Sequence, residues 1–312
     1  MKFPIIANEQ DFARHFQNQI WLKVAETICK RHSIFYQSLQ RPQSSEHIVF
    51  LVDDQFVIKI YKPFRDGFRR EKVAIEFVQG KTSLPLPKII FEGEIETFKY
   101  LVLTQHAGVL MTRDIWLGLK TRKQIEVISQ LATGLKELHS HNAKAIDFNW
   151  DKFIEQQTAN TFERQKSKSV NAKILGWLPE FLKESLLLLP VDFTTVFLHG
   201  DVHFGNLRLI ETDGNWRISG LFDFADFITG FHEYEFLAIG VLMIQGQGEL
   251  QREFFRAYGY RENEIDETLR RRLMLLTILY ETADLRRYAL RLKPEAVNYT
   301  LDELERAIWA FV

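Results

Sequence analysis

The hydrophobic pattern of the chain changes its period near residue 105, and this change limits the folds that the chain can adopt. Up to that point, short runs with strand composition surround a single stretch with helical spacing. The runs lie at residues 47–52, 55–61, 89–92 and 100–103, and the helical stretch at residues 69–80. After Gly108 the apolar spacing is mostly helical. The pattern predicts an α+β protein with a small antiparallel β-sheet lobe, residues 1–105, and a larger helical lobe, residues 106–312.

Local signals predict elements within each part. Asn8 can cap a first helix that reaches to about Arg31, and Asp53-Asp54 forms a compact polar turn between two strands. In the second part, one hairpin is expected around residues 212–215, between strands at 207–210 and 216–221. Helices are expected at residues 121–141, 150–167 and 171–189, with one long helix or two over residues 262–292.

Composition excludes several function classes. Forty basic and 41 acidic residues leave a net charge of −1, whereas a nucleic-acid-binding protein normally shows a basic excess, so nucleic acid is not an expected partner. The longest apolar run of the second half, residues 236–244, is too short for a membrane span. A single cysteine, Cys29, cannot form an intrachain disulfide and fits a reducing cytoplasm, which is the expected location. Oligomeric state is not predicted.

The stretch His199-Gly200-Asp201-Val202-His203-Phe204-Gly205-Asn206 has the residue types that phosphoryl transfer needs. That reaction requires a carboxylate to orient an acceptor hydroxyl and accept its proton, and oxygen ligands that hold Mg²⁺ on the phosphates. Asp201 and Asn206 are five residues apart on one loop, so one can face the acceptor while the other faces the metal. Asp223 follows the predicted hairpin, which brings it back beside them.

This segment resembles the HGDxxxxN motif and the downstream aspartate of aminoglycoside phosphotransferases and the related choline-kinase-like enzymes. The resemblance extends from about residue 33 to residue 250 and implies a bilobed, protein-kinase-like fold. It implies that Asp201 is the catalytic aspartate, that Asn206 and Asp223 bind Mg²⁺, and that ATP is the phosphoryl donor. His199 is expected to support the loop by hydrogen bonding, while His203 either packs in the loop or contacts the acceptor, with packing favoured.

Lys59 lies in the middle of an apolar strand, where an unpaired charge would be costly. Glu71 opens the following helix and is the preferred partner, with Glu76 as the competing one. The arrangement resembles the family's strand lysine and helix glutamate, which hold the nucleotide phosphates. A lysine of an edge strand whose ammonium group reaches solvent is the alternative.

Two further nucleotide contacts are implied by the resemblance. Residues 103–110 resemble the adenine-binding hinge, where the Thr104 carbonyl and the His106 N–H would contact the base; a plain linker is the alternative. The phosphate loop should lie at residues 41–47, where no glycine occurs. Ser44 and Ser45 are the expected donors there, in place of the backbone of a glycine-rich loop.

The acceptor is expected to be a small molecule with a hydroxyl group, bound by the helical lobe. Carboxylates suited to a cationic aminoglycoside-like antibiotic or a related metabolite are available there. The candidates are Asp226, Glu233, Glu235, Glu281 and Asp284. For each of them a charge on a helix surface, without a substrate contact, is the favoured alternative. A kinase of choline or of a sugar is an alternative, as is a nucleotide-binding scaffold without activity. A protein kinase ranks below these, since no Ala-Pro-Glu segment follows Asp223.

Overall fold

The structure is a computed structural model that describes residues 3–42 and 45–312. The helices are α1 Glu9–His15, α2 Ile20–Arg31, α3 Gly67–Val78, α4 Arg113–Gly118, α5 Thr121–His139, α6 Trp150–Ser167, α7 Ala172–Ser185, α8 Phe236–Ala238, α9 Gly248–Tyr258, α10 Glu267–Leu279, α11 Leu285–Leu292 and α12 Leu301–Ile308. The strands are β1 Leu39–Gln40, β2 Ile48–Val52, β3 Phe56–Ile60, β4 Ile89–Ile95, β5 Phe98–Thr104, β6 Val109–Leu110, β7 Val196–Leu198, β8 Leu207–Thr212, β9 Asn215–Leu221 and β10 Ile228–Gly230. Over the described residues, no helix combines the length and the apolarity that crossing a bilayer requires.

The first part of the chain builds an antiparallel sheet with the strand order β1-β2-β3-β5-β4. The β2–β3 turn works because Asp53 and Asp54 both adopt the left-handed conformation, with φ of 49° and 55°. Two successive left-handed residues give a turn whose twist matches that of the flanking strands. The predicted hairpin is therefore present, with strand bounds within about one residue of the prediction.

The two faces of this sheet enter different hydrophobic clusters. Ile58 and Ile60 of β3 lie on the face covered by α1 and α2, together with Trp21 and Ile28 of α2. The opposite face carries Leu101 and packs against α3 and the helical part of the molecule. This alternation of period two places every second residue of β3, and therefore Lys59, towards the helical part.

The N-terminal helix is a correction to the sequence analysis, which expected one helix to about Arg31. The chain breaks between α1 and α2, and the Asn18 side chain accepts a hydrogen bond from the Ile20 N–H at 2.9 Å to start the second helix. Apolar residues at helical spacing continue through the break, which is why the pattern did not reveal it.

The second part is mostly helical, and its two small sheets position the loops between them. One sheet has the order β6-β8-β9, and the other pairs β7 with β10. Residues 262–292 form two main helices, α10 and α11, which resolves the alternative left by the sequence. The fold is α+β with a small antiparallel sheet lobe and a helical lobe, as expected. The division at residue 105 stays a prediction.

Candidate active site

Residues His199, Gly200 and Asp201, called the HGD segment below, directly follow the end of β7 and lie beside the start of β10. Leu198, the last residue of β7, pairs with Ile228, the first residue of β10. The loop that carries Asp201 therefore leaves the sheet beside the point where the segment that begins at Asp223 enters it. This pairing, between residues 30 positions apart, brings the two predicted acidic groups to one edge of the sheet.

Asp201 is held by side chains of its own loop. The Asn206 amide donates to the Asp201 carbonyl at 2.9 Å and to its Oδ2 at 3.2 Å. His203 Nε2 lies 3.2 Å from the same Oδ2. In the part of the chain that the structure describes, no hydrogen bond reaches the other oxygen, Oδ1. The side chain is 30 % exposed, so a carboxylate held through one oxygen keeps the other free of protein hydrogen bonds.

His203 makes its polar contacts within its own loop, in line with the favoured expectation, and one of them is with the Asp201 carboxylate. Its Nδ1 accepts a hydrogen bond from the Gly205 N–H at 2.9 Å. A neutral imidazole whose Nδ1 accepts carries its proton on Nε2, the nitrogen that lies 3.2 Å from Asp201 Oδ2. The local turn thus sets the tautomer of the ring beside the carboxylate.

The β8–β9 hairpin brings Asp223 beside Asn206. Leu207 pairs with Leu221, and the Phe222 N–H donates to the Asn206 carbonyl at 3.1 Å. Asp223 follows with a φ of 69°, a left-handed conformation that turns the chain out of the strand. The predicted proximity of residues 206 and 223 is therefore present.

His199 ties the two loops together, in line with the expected supporting role. It is fully buried, its Nδ1 accepts from the Asp201 N–H at 3.3 Å, and its Nε2 donates to the Phe222 carbonyl at 3.0 Å. The His199 imidazole thereby links the backbone of Phe222, the residue before Asp223, to the backbone of Asp201.

Lys59 reaches both lobes. Its ammonium nitrogen lies 2.6 Å from Glu71 Oε2 on α3 and 2.7 Å from Asp223 Oδ1. Glu71 is buried and also accepts a hydrogen bond from the Tyr61 hydroxyl at 2.8 Å. Glu76 is exposed and lies 3.8 Å from Lys72, so the structure pairs Lys59 with Glu71.

The charges of this group are strongly coupled. Burial opposes the charge of Lys59, but the carboxylates of Asp223 and Glu71 outweigh it and raise the pKa of the lysine. The Lys59 ammonium lowers the pKa of Asp223. Burial raises the pKa of Glu71 against the opposing pull of Lys59. Lys59 therefore stays protonated, with Asp223 ionised beside it.

Glu235 supports the loop, which corrects its assignment as an acceptor contact. Its side chain is 0 % exposed, and its carboxylate accepts from the His199 N–H at 2.5 Å and the Gly200 N–H at 3.0 Å. The Tyr280 hydroxyl donates to the Gly200 carbonyl at 3.0 Å. Both oxygens of Glu235 are used beneath the HGD segment, so it offers none to an acceptor.

Glu233 is a second correction. Its carboxylate is buried and receives two hydrogen bonds from the Arg272 guanidinium, both at 2.5 Å, and one from the Tyr260 hydroxyl at 2.9 Å. Such a buried, doubly hydrogen-bonded pair holds α10 to the segment after β10. A carboxylate neutralised in this way does not attract a cationic substrate.

The other acceptor candidates differ in their surroundings. Asp284 caps α11 by accepting from the Arg287 N–H at 2.9 Å, whereas Glu281 and Asp226 are exposed. The pKa of Asp226 is raised, first by partial desolvation and then by neighbouring carboxylates that include Asp223 and Asp201. The carboxylates of Glu46, Asp223 and Asp201 are thus near enough to Asp226 to disfavour its charge.

The predicted hinge has backbone groups without protein partners. In a continued β4–β5 ladder the Lys88 N–H would donate to the Thr104 carbonyl, but it donates to the Thr104 hydroxyl at 2.9 Å. Within residues 3–42 and 45–312, neither the Thr104 carbonyl nor the His106 N–H has a hydrogen-bond partner. Gln105 between them is anchored by its N–H to the Gln55 carbonyl at 2.8 Å. One acceptor and one donor are thus available two residues apart.

The phosphate-loop candidates are only partly described. Ser45 donates its hydroxyl to the His47 carbonyl at 2.6 Å, so it stabilises its own loop. Ser44 lies outside the described residues.

Comparison with known proteins identifies the family of the chain. The model of the phosphotransferase enzyme family matches residues 39–276, more than half of the chain. The chain belongs to this family. The match contains Lys59, Glu71, Asp201, Asn206 and Asp223, and the protein is a phosphotransferase. Among curated proteins, none matches the sequence.

Solved structures of aminoglycoside phosphotransferases share the fold. The GDP complex of aminoglycoside 2'-phosphotransferase-IIIa superposes with a TM-score of 0.71 at 15% identity, covering 94% of this chain and 99% of that one. The streptomycin–ATP–APH(2")-IIa ternary complex gives 0.60 at 18% identity, covering 90% and 97%. ADP-bound APH(2'')-Ib gives 0.60 at 18% identity, covering 90% and 98%. At these identities the likeness establishes the kinase-like fold.

The sequence analysis missed three groups that hold the site. The Tyr61 hydroxyl on Glu71, the Tyr280 hydroxyl on Gly200 and the Glu235 carboxylate under the HGD loop all come from other elements. Tyr61 lies two residues after Lys59, directly after the end of β3, so its position was a usable signal. Tyr280 gave no local signal, and Glu235 was named only as an acceptor candidate.

Proposed function

We propose that the protein transfers the γ-phosphoryl group of ATP to a hydroxyl of a small molecule, with Asp201 orienting that hydroxyl and accepting its proton. The observation that carries this proposal is the unequal use of the two Asp201 oxygens. Oδ2 is contacted by Asn206 and His203, while Oδ1 has no hydrogen bond within the described part of the chain and belongs to a side chain that is 30 % exposed. A carboxylate held in this way can receive a hydroxyl without having to reorient, which is what positioning catalysis requires.

Asn206 and Asp223 have the ligand chemistry for Mg²⁺. Because the Asn206 Nδ2 donates to Asp201, the amide oxygen Oδ1 points away from that bond and is the atom left for a cation. Asp223 uses Oδ1 for Lys59 and keeps Oδ2. One amide oxygen and one carboxylate oxygen suit a hard cation that retains waters and binds substrate phosphates. When bound, Mg²⁺ would neutralise charge on those phosphates.

The nucleotide would lie between the lobes. The Thr104 carbonyl and the His106 N–H can accept from and donate to a purine base, and Lys59, held by Glu71, can contact the phosphates. The related structures were solved with GDP, ATP and ADP, which supports a purine nucleotide donor here. Ser44 and Ser45 remain the candidates for the phosphate loop, and a cytoplasmic setting, where ATP is available, belongs to the same proposal.

The acceptor is proposed to be an aminoglycoside-like antibiotic or a related metabolite. Glu233 and Glu235 are committed to buried interactions, so Asp226 and Glu281 are the exposed carboxylates among the candidates. These two carboxylates can attract the ammonium groups of such an acceptor, and choline or a sugar, which needs fewer anionic contacts, is the alternative.

The test is Asp201→Asn, assayed as ADP release on a panel of aminoglycosides, macrolides, choline and sugars. The amide keeps the shape and loses the base, so kcat should fall by about 10²–10⁴-fold, while Mg·ATP affinity stays within about threefold. Asp213→Asn, on the exposed turn of the β8–β9 hairpin, is the matched control and should keep full activity. Undiminished turnover in Asp201→Asn would remove Asp201 from this role.

The glycine-free segment 41–47 motivates a second candidate, a nucleotide-binding scaffold without turnover. Wild-type protein that binds Mg·ATP but releases no ADP with any member of the panel would favour that candidate. Phosphate incorporation into generic proteins alone would favour a protein kinase.

A further inference from the structure

Arg70 on α3 binds the backbone of the segment that follows Asp223. Its Nε donates to the Ala225 carbonyl at 2.8 Å, and its Nη2 donates to the Phe227 carbonyl at 2.5 Å. The guanidinium carbon also lies 5.0 Å from the centre of the Phe227 ring. A planar guanidinium reaches two fixed acceptors at once, which an ammonium group cannot do in the same geometry.

The position of Arg70 in the chain links this contact to the nucleotide site. It directly precedes Glu71, which turns inward to Lys59, so neighbouring side chains of one helix hold the strand lysine and the Asp223 segment. The far end of that segment is fixed where Ile228 pairs with Leu198. Between Asp223 and Ile228, the two Arg70 bonds connect the segment to the sheet lobe.

A second connection exists at the start of the segment, but it uses a group that the nucleotide needs. Lys59 lies 2.7 Å from Asp223 Oδ1. When Lys59 turns to the phosphates, as the proposed function requires, this ion pair weakens. The Arg70 bonds go to backbone carbonyls, so they do not compete with phosphates or with a metal ion for Asp223.

We propose that Arg70 is a positioning residue that clamps α3 to the segment after Asp223, so that Asp223 stays in place for Mg²⁺ while Lys59 exchanges partners. This inference rests on the proposed function. The Asp226 side chain between the two bonded carbonyls is exposed, so the clamp acts through the main chain and tolerates side-chain change at position 226.

The test compares Arg70→Gln and Arg70→Lys with Arg69→Gln. Arg69 is exposed and its ion pair is with Asp66, the residue directly before α3, which makes it a matched control. ATP affinity is measured by calorimetry with saturating Mg²⁺ and with EDTA. Loss of two hydrogen bonds from a charged donor should reduce the Mg²⁺-dependent gain in affinity by about tenfold or more in both Arg70 variants and leave it unchanged in Arg69→Gln.

Hydrogen exchange without nucleotide or metal gives a second readout. Backbone amides of residues 224–228 should exchange about tenfold faster in the Arg70 variants than in wild type or Arg69→Gln, because a local opening loses its restraint. Circular dichroism confirms that each variant is folded.

The outcomes separate the two proposals. A folded Arg70→Gln with the wild-type Mg²⁺ effect and wild-type exchange overturns the clamp, and so does an Arg70→Lys indistinguishable from wild type, because the two-carbonyl geometry would then be unnecessary. Wild-type protein that binds no Mg·ATP overturns the proposed function, and this inference with it.

Discussion

Replacing Glu235 by glutamine separates support of the HGD loop from acceptor binding. The carboxylate accepts two backbone N–H groups, at 2.5 and 3.0 Å, from a fully buried position. A glutamine oxygen can accept one of them, but its NH₂ group faces the other donor. The loss of one charge-assisted hydrogen bond, with a buried N–H left unpaired, amounts to about 3–5 kcal/mol.

This loss converts to a measurable shift in melting temperature. For 312 residues, an unfolding entropy of roughly 2.1 cal/mol/K per residue gives about 0.65 kcal/mol per degree. Glu235→Gln should therefore melt about 5–8 °C below wild type. Because the loop that it supports carries Asp201, kcat should fall by about 10–100-fold, as displacements near 1 Å do at reacting groups.

The assay combines calorimetric melting with steady-state kinetics on an acceptor found in the panel. The KM values for acceptor and Mg·ATP should stay within about threefold of wild type, since neither is contacted. Glu211→Gln, an exposed glutamate of β8, controls for the change of charge and should have no effect. An unchanged melting temperature together with a large rise in acceptor KM would refute loop support and restore Glu235 as an acceptor contact.

Two further predictions concern titratable side chains in the interior. Glu71→Gln leaves Lys59 without its buried partner, so the free energy of unfolding measured in urea should fall by about 3 kcal/mol or more and the Mg·ATP KM should rise about tenfold. Glu76→Gln, at an exposed position, should change stability by less than about 0.5 kcal/mol. Equal effects of the two substitutions would contradict the pairing of Lys59 with Glu71. Burial lowers the pKa of His232 to about 3. The unfolded chain, with a histidine pKa near ~6.5, therefore binds the proton first as the pH falls, and stability present above pH ~6.5 is lost towards pH ~3. Between pH ~7.5 and ~5 the loss due to this group is about 2 kcal/mol, and His232→Gln should show a correspondingly flatter pH profile in urea unfolding; parallel profiles would argue against a neutral buried histidine.

Local chemistry made part of the fold predictable. The Asp53-Asp54 turn and the hairpin at residues 212–215 depend on residues that tolerate left-handed backbone, which the sequence shows directly. Helix α6 begins at Trp150 and ends at Ser167 as predicted, and the Asn149 side chain caps its first turn by accepting from the Lys152 N–H.

Other features depend on partners distant in sequence. The two-residue strand β6 exists because Val109 pairs with Leu209, one hundred positions away, and β7 and β10 are likewise short strands defined by each other. A run of two or three residues carries too little periodicity to be found alone.

In the candidate site, too, some features could be predicted from local sequence and others depend on tertiary packing. Asp201, Asn206 and Asp223 follow from spacing along one loop and one hairpin, and their roles stay proposals. Whether a carboxylate faces solvent depends on tertiary packing, so the sequence did not distinguish buried Glu233 and Glu235 from exposed Asp226.

The double pairing of Lys59 has a consequence for the proposed catalytic cycle. The Lys59 ammonium group is already paired with two carboxylates, those of Glu71 and Asp223. A triphosphate that binds Lys59 must therefore displace one of these carboxylates from it. Its net affinity is then the difference between two ion pairs. After transfer, the return of Lys59 to Asp223 would compete with the spent nucleotide for the ammonium group and favour its release.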